Sequence, residues 1–235
     1  MFNPEVYRGK RVLVTGHTGF KGSWMCTALV NAGAEVAGYS TCGKKETRLF
    51  DLCGVRDQIT HIRGDVRDLD ALAAAFRDFQ PEIVLHLAAQ PIVRESYRDP
   101  VGTYSTNVMG TVNLLQREKE AWYDPGQKTW KKGRKYVQVS TDEVYGALGA
   151  TGYFTETTPI NPHSPYSSSK ASADHFVKAF HDTYGMPINI TRCSNNYGMW
   201  QFPEKLIPLM INNAKNHKQL PVYGDGMQIR DWLFV

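Results

Sequence analysis

The run Arg11-Val12-Leu13-Val14-Thr15 leads straight into Gly16-x-x-Gly19-x-x-Gly22, and "FKGSWMCTALVNAG" then carries helical periodicity to a glycine stop. A β-rich run, a glycine-spaced turn and a helix, in that order, constrain the fold more than any other feature of the chain. Glycine lets a ligand approach the backbone closely. The helix start beyond it offers unpaired N–H groups and the positive end of the helix dipole. The junction therefore suits a dinucleotide pyrophosphate, with Gly16, Gly19, Phe20 and Gly22 as its contacts.

The alternation continues along the chain. "EVAGYS" (35–40) reads as a second strand and "HIRGDV" (61–66) as a short third. "DLDALAAAFRDF" opens with acids and continues as a helix, and "PEIVLHLAAQ" (81–90) is the apolar run of a strand buried on both faces. A helix is expected at about 100–120, a strand at 135–141, a helix at 166–184 and a strand at 187–193. This order predicts an α/β fold, a doubly wound parallel sheet. "FPEKLIPLMINNAKNHK" reads as helix, and "LPVYGDGMQIRDWLFV" as two short strands around a Gly-Asp-Gly turn. Residues 1–193 are thus expected to form a dinucleotide-binding domain and 194–235 a small partial lobe. Val235 falls inside an apolar strand, which suggests a C-terminal truncation.

Composition excludes more than it selects. At 42% apolar and 21% charged residues the chain resembles an ordinary globular protein, and no window nears the roughly 18 apolar residues of a membrane span. The N-terminus has no secretory apolar stretch, which points to the cytosol. Cys26, Cys42, Cys53 and Cys193 are scattered without metal spacing, so free thiols and no metal are expected. The basic cluster "KTWKKGRK" (128–135) looks like a solvated insertion, and a net charge of +4 does not argue for nucleic acid.

The second strand ends Tyr39-Ser40-Thr41, without the acid that would hold an adenine ribose, and Lys44 and Lys45 follow; this leaves NAD and NADP both open. Asp65 is placed to meet the adenine or to cap a helix. His86 reads as a core histidine. Tyr166 and Lys170, four residues apart, share a helix face. A phenol with an ordinary pKa near 10 is a poor base alone, but a lysine ammonium one turn away and a cationic nicotinamide favour its phenolate. Thr141 ends the preceding strand and can bond the same hydroxyl. Asp142 and Glu143 stand side by side in "STDEVYG". Neighbours in a strand point to opposite faces, so the pair is either a solvated corner or a device touching two atoms of one substrate.

Taken together, "STDEVYG", "TETTPINPHSPYSSSKASADHFVKAF", "TRCSNNYG", "QFPEKLIPLMI" and "LPVYGDG" followed by "RDW" resemble the dTDP-glucose 4,6-dehydratases of the extended short-chain dehydrogenase/reductase superfamily. The N-terminal half, with "VLVTGHTGFKGSW" and "HLAAQPIVRESYRDPVGTYSTNVMGT", is closer to the CDP-glucose enzymes. Pro91 to Ser96 and the Met199-Trp200 pair depart from the dTDP pattern. The resemblance implies that a nucleoside-diphosphate glucose becomes a 4-keto-6-deoxy sugar, with NAD regenerated in each cycle. Tyr166 would take the O4 proton, helped by Thr141 and Lys170. Glu143 would take the C5 proton, and a protonated Asp142 would release the C6 hydroxyl as water. It further implies Val66, Leu87, Ala88, Ala89 and Asn107 on the cofactor side, and Asn196, Lys205, Leu206, Pro221, Tyr223 and Arg230 on the substrate side. A homodimer paired through the two long helices is also implied. A dinucleotide-binding fragment without turnover is the alternative that a truncated chain raises.

Overall fold

The computed structural model describes residues 3–41, 48–149, 151–222 and 224–235. Its first half alternates β1 (Arg11–Thr15), α1 (Phe20–Asn31), β2 (Glu35–Ser40), α2 (Arg48–Leu52), β3 (Thr60–Arg63), α3 (Leu69–Phe79) and β4 (Ile83–His86). Then follow α4 (Val93–Arg98), α5 (Pro100–Tyr104), a π-helical turn (Ser105–Met109) and α6 (Gly110–Trp122). A hairpin of β5 (Tyr123–Asp124) and β6 (Thr129–Trp130) precedes β7 (Lys135–Thr141), α7 (Pro165–Tyr184) and β8 (Ile188–Cys193). The tail holds β9 (Asn195–Tyr197), α8 (Leu206–Lys215) and β10 (Trp232–Phe234).

Six strands form one sheet in the order β3-β2-β1-β4-β7-β8, each neighbouring pair parallel. Parallel sheets need both faces covered, and the strands show it: β4 is buried along its whole length. Leu13 faces one core with Val84, Leu114 and Tyr136. Val12 and Val14 face the other with Cys26, Leu29 and Val36. Each fully buried aliphatic side chain contributes roughly 1.5–3 kcal/mol. The strand order reverses between β1 and β4, which opens a crevice beyond the carboxyl ends of the strands.

Local chemistry sets the helix ends. Asp68 caps α3 by accepting from Ala71 N at 3.0 Å. Ser164 and Ser167 form a reciprocal capping box at the start of α7, Pro165 occupies the first helical position, and Gly185 stops the helix in a left-handed conformation at φ +68°. His86 is a satisfied core histidine, hydrogen-bonded to Thr15 Oγ1 at 2.7 Å and Thr111 Oγ1 at 3.1 Å.

The basic cluster is exposed at 128–129 and 131–133, as a solvated insertion is, and is anchored where Trp130 donates to Tyr184 O at 2.6 Å and Arg134 pairs with Glu82 at 3.2 Å. Two details depart from the sequence expectation. The segment after Pro91 holds the short helix α4, which no periodicity announced. Of the two expected tail strands only β10 forms among the described residues, parallel to β9. Pro221 has no N–H to give to a ladder, and Gly224 and Gly226 adopt φ +58° and +78°. Among the described residues no helix is long and apolar enough to cross a membrane, and no group of three or more His, Cys, Asp or Glu is placed to hold a metal.

Candidate active site

The crevice begins at the first turn. Gly16 adopts φ +71°, and a Cβ there would sit 2.8 Å from Ala88 N; a Cβ on Gly22 would sit 2.2 Å from Gly16 O. Glycine is thus required by the backbone itself at both positions. Gly19 N–H donates to Gly16 O at 3.1 Å, and Gly19 is the N-cap of α1 with no side chain to cover the helix end. The exposed amides and the tight glycine approach fit a pyrophosphate. Gly16, Gly19, Phe20 and Gly22 line this wall; Leu87, Ala88 and Ala89 face them from the end of β4.

Ser40, Thr41, Asp65 and Val66 close the far end. The end of β2 therefore offers hydroxyls where an acid is often found. Asp65 is gripped by Arg67, with Nε donating at 3.0 Å and Nη2 at 2.6 Å, and those bonds hold its carboxyl below the usual range. Asp68, not Asp65, caps the helix. Asn107 does not line the crevice. It lies buried in the π-turn, accepts from Gln90 N at 2.7 Å, and donates to Gln90 O at 3.2 Å and Ser169 Oγ at 2.9 Å. A local widening of a helix often re-aims a side chain. Here Asn107 pins Gln90, which does face the crevice, to α7.

On the opposite side, β7 buries Tyr136, Gln138 and Ser140 on one face and ends at Thr141. The chain then makes a 3-10 turn over Asp142–Tyr145, anchored by buried Val144 and Tyr145. The two acids therefore sit in a turn, where successive side chains diverge by about 120° rather than the 180° of a strand. Thr141 Oγ1 donates to Asp142 Oδ1 at 3.2 Å and accepts from Glu143 N at 3.3 Å. Glu143 lines the crevice. Burial raises both carboxyls above their ordinary range, and for Glu143 the nearby Asp142 adds to the rise. Arg230 acts against the shift at both, and Lys205 at Glu143.

Tyr166 and Lys170 project from α7 into the same space. Lys170 is buried and donates to Val139 O at 2.8 Å; burial pushes its ammonium down to about 8, against the pull of Asp174. The expectation joined the Lys170 charge to that of a cationic nicotinamide. In the protein alone burial, then the Glu143 carboxylate, Cys193 and Asp142, push the Tyr166 phenol up, against the pull of the Thr141 hydroxyl. A positive charge brought in with a cofactor is what this site needs to acidify the phenol.

The tail completes the rim. Asn196, Lys205, Leu206 and Arg230 line the crevice, giving a space of about 970 Å³ in all. Pro221 is not among the lining residues, and Tyr223 lies outside the described residues. Sequence reasoning missed Lys21, Arg67, Gln90, Cys193 and Trp232, all lining residues. Lys21 was visible as a cation inside the glycine motif, and its Nζ lies 3.4 Å from Cys193 Sγ. Arg67 and Gln90 follow the ends of β3 and β4, Cys193 ends β8 and Trp232 opens β10.

A dinucleotide crevice at the strand reversal, bordered by a tyrosine and a lysine one helical turn apart, places the chain in the extended short-chain dehydrogenase/reductase class. Its family is narrower. The family model described as GDP-mannose 4,6 dehydratase matches residues 13–235, and the chain belongs to that family. It is 46% identical over 95% of its length to the dTDP-glucose 4,6-dehydratase of Xanthomonas campestris pv. campestris, covering 64% of that protein. It is 45% identical over 96% of its length to the corresponding Neisseria meningitidis protein, again covering 64%. The crystal structure of dTDP-glucose 4,6-dehydratase from Bacillus anthracis in complex with NAD superposes with a TM-score of 0.83 at 39% identity, covering 96% of this chain and 68% of that one. A Thermus thermophilus UDP-glucose 4-epimerase complex with NAD gives 0.82 at 30% identity, covering 95% and 70%. The chain thus spans just under two thirds of the length of these curated relatives.

Proposed function

We propose that the complete protein is an NAD-dependent dTDP-glucose 4,6-dehydratase. One observation carries this reading: Thr141 and Glu143, on either side of Asp142 at the start of the 3-10 turn, line the same crevice as Tyr166 and Lys170. A dehydrogenase needs only the tyrosine and its helpers; elimination across C5 and C6 also needs a base at one carbon and an acid at its neighbour. NAD, when bound along the glycine wall, supplies reversible oxidation at the sugar carbon.

The chain's own groups do the rest. Tyr166 receives the O4 proton, with Thr141 bonding the same oxygen and the Lys170 charge below. Oxidation at C4 acidifies C5, and Glu143, open to the crevice, takes that proton and later returns one. Asp142 takes the protonated role and releases the C6 hydroxyl as water, in a site whose burial raises both carboxyls. Lys205 and Arg230 offer charge to the diphosphate, and Asn196 lines the same crevice. Residues 1–193 carry cofactor and catalytic groups, and 194–235 begin the substrate lobe.

The relatives' names favour the dTDP sugar, while Pro91 and Ile92 in the lining come from the segment that resembles the CDP-glucose enzymes. Offering dTDP-glucose and CDP-glucose separately to the complete protein decides it. The expected result is a 4-keto-6-deoxy product from dTDP-glucose without net reduction of NAD. Product from CDP-glucose alone overturns the substrate assignment.

A homodimer belongs to the same reading. Val101, Tyr104 and Met109 near α5 and Phe176 on α7 leave an apolar strip exposed, in the two helical regions expected to pair. Free thiols at Cys26, Cys53 and Cys193 fit a cytosolic setting.

A further inference from the structure

β2 ends without a carboxylate, and the proposed dehydratase chemistry leaves that fact unused. In dinucleotide folds an acid at this strand end accepts from the ribose hydroxyls of NAD and repels the 2′-phosphate of NADP. Here the strand ends at Ser40 and Thr41 follows; both line the crevice. Ser40 is buried, and its Oγ lies 3.1 Å from Thr18 Oγ1, another lining hydroxyl. A hydroxyl both donates and accepts, so it can bond a ribose hydroxyl or a phosphate oxygen. A carboxylate can bond only the first.

We propose that this corner accepts the 2′-phosphate as readily as the free 2′-hydroxyl, so that the protein binds NADP about as well as NAD. NADP then joins NAD as a cofactor of the dehydratase, a reading on which this step rests because it seats the adenosine beside Ser40 and Thr41.

The charges around the corner favour the added anion. Among the described residues, Asp65 is the acid that closes this end, and its charge is matched. Arg67 Nε donates to Oδ1 at 3.0 Å and Nη2 to Oδ2 at 2.6 Å. Those bonds use two of the five guanidinium N–H groups, which leaves three for an anion. Asp68 is turned to Ala71 N in the cap of α3. The other lining acids, Glu95, Glu143 and Glu204, belong to α4, the 3-10 turn and the tail. Arg63 ends β3 opposite Ser40 in the register of the sheet. Neighbours in register lie about 4.8 Å apart and project to the same face, so its cation is within reach of the same corner. Two arginines against one carboxylate leave the corner positive, and a phosphate brings about two negative charges. A guanidinium fork matches phosphate oxygens in geometry as well as in charge.

Isothermal titration calorimetry on the complete protein compares NAD with NADP. It also compares 5′-ADP with 2′,5′-ADP, which probe the adenosine end without the nicotinamide. NADP should bind within about tenfold of NAD, and 2′,5′-ADP at least as tightly as 5′-ADP. Added salt should weaken 2′,5′-ADP more than 5′-ADP, since charge holds the extra phosphate. Ser40→Asp restores the carboxylate and should turn selectivity toward NAD by on the order of a hundredfold. Thr41→Asp, at an exposed position, serves should the buried aspartate prevent folding. NADP binding more than about tenfold weaker than NAD, or a selectivity that the restored carboxylate does not shift, overturns the proposal. Failure of the wild type to bind either dinucleotide overturns the placement of the cofactor instead, and with it the dehydratase reading.

Discussion

Asp174 accepts the Nε–H of Arg192 at 2.9 Å, and this pair ties the two halves of the catalytic apparatus together. Asp174 is 1% exposed and lies one turn beyond Lys170 on α7. Arg192, on β8, also donates Nη1 to the Tyr145 hydroxyl at 3.0 Å, and Tyr145 anchors the turn that carries Asp142 and Glu143. The charge next to Lys170 and the placement of the acids thus share one arginine.

Replacing Asp174 with Asn has a signed consequence. Burial lowers the Lys170 ammonium to about 8 even with the Asp174 carboxylate raising it. Removing that carboxylate lowers the Lys170 pKa further, so the alkaline limb of the kcat profile moves to lower pH. Arg192 also loses its partner, which costs on the order of 3 kcal/mol of stability. A pH–rate profile and urea unfolding read the two effects separately. An alkaline limb unmoved in Asp174→Asn refutes the electrostatic link.

The glycine wall makes a second expectation. Gly16→Ala puts a Cβ 2.8 Å from Ala88 N at a backbone φ of +71°, and Gly22→Ala puts one 2.2 Å from Gly16 O. Backbone cannot give way cheaply, and strain of about 1–3 kcal/mol per site is expected. NAD affinity, measured calorimetrically, should weaken by roughly tenfold or more in each variant. Gly54→Ala, with nothing within 4 Å of its Cβ, is the control for strain from positive φ alone, since its φ is +65°.

Why some of this was legible in the chain and some was not has a physical basis. β1 and β4 were readable because strands buried on both faces must be apolar throughout. The α7 boundaries were readable because Ser164, Pro165 and Gly185 are local signals. Tyr166 and Lys170 share a helix face by spacing alone. By contrast, the strand-like reading of "STDEVYG" stopped short, because Val144 and Tyr145 bury by tertiary contact and pull the acids into a 3-10 turn. Asn107 was assigned to the crevice by resemblance, yet its side chain is consumed by Gln90 and Ser169. Gln90 and Arg192 act through partners 17 and 18 residues away, and no local pattern encodes such contacts.

Acid should weaken the fold through two histidines. Burial, His61 and Arg56 hold His17 down to about 4, while burial and Lys170 hold His86 down to about 3. Both are therefore neutral in the folded protein at pH values where the unfolded chain, near 6.5, takes up protons. Their stabilising effect is complete above pH ~6.5 and is lost as pH falls from there toward about 4 and about 3. Each contributes a slope of up to about 1.4 kcal/mol per pH unit in that window. Urea unfolding between about pH 7 and pH 5 measures it; a flat profile sinks the assignment of both as neutral buried groups.

Glu143→Gln separates oxidation from elimination. The glutamine keeps the shape of the side chain and its place in the 3-10 turn, but it cannot accept the C5 proton. Tyr166, Thr141 and Lys170 are untouched, so C4 oxidation should proceed and stall there. With dTDP-glucose, reduced nicotinamide should accumulate and be visible by its absorbance, while product formation falls on the order of a hundredfold or more. Exchange of the C5 hydrogen with solvent deuterium should be lost in parallel, because that exchange requires the base alone. The Tyr166 phenol should also become easier to ionise in this variant, since the Glu143 carboxylate is the largest charge holding it protonated after burial. A variant that still washes out the C5 hydrogen at the wild-type rate shows that another group is the base.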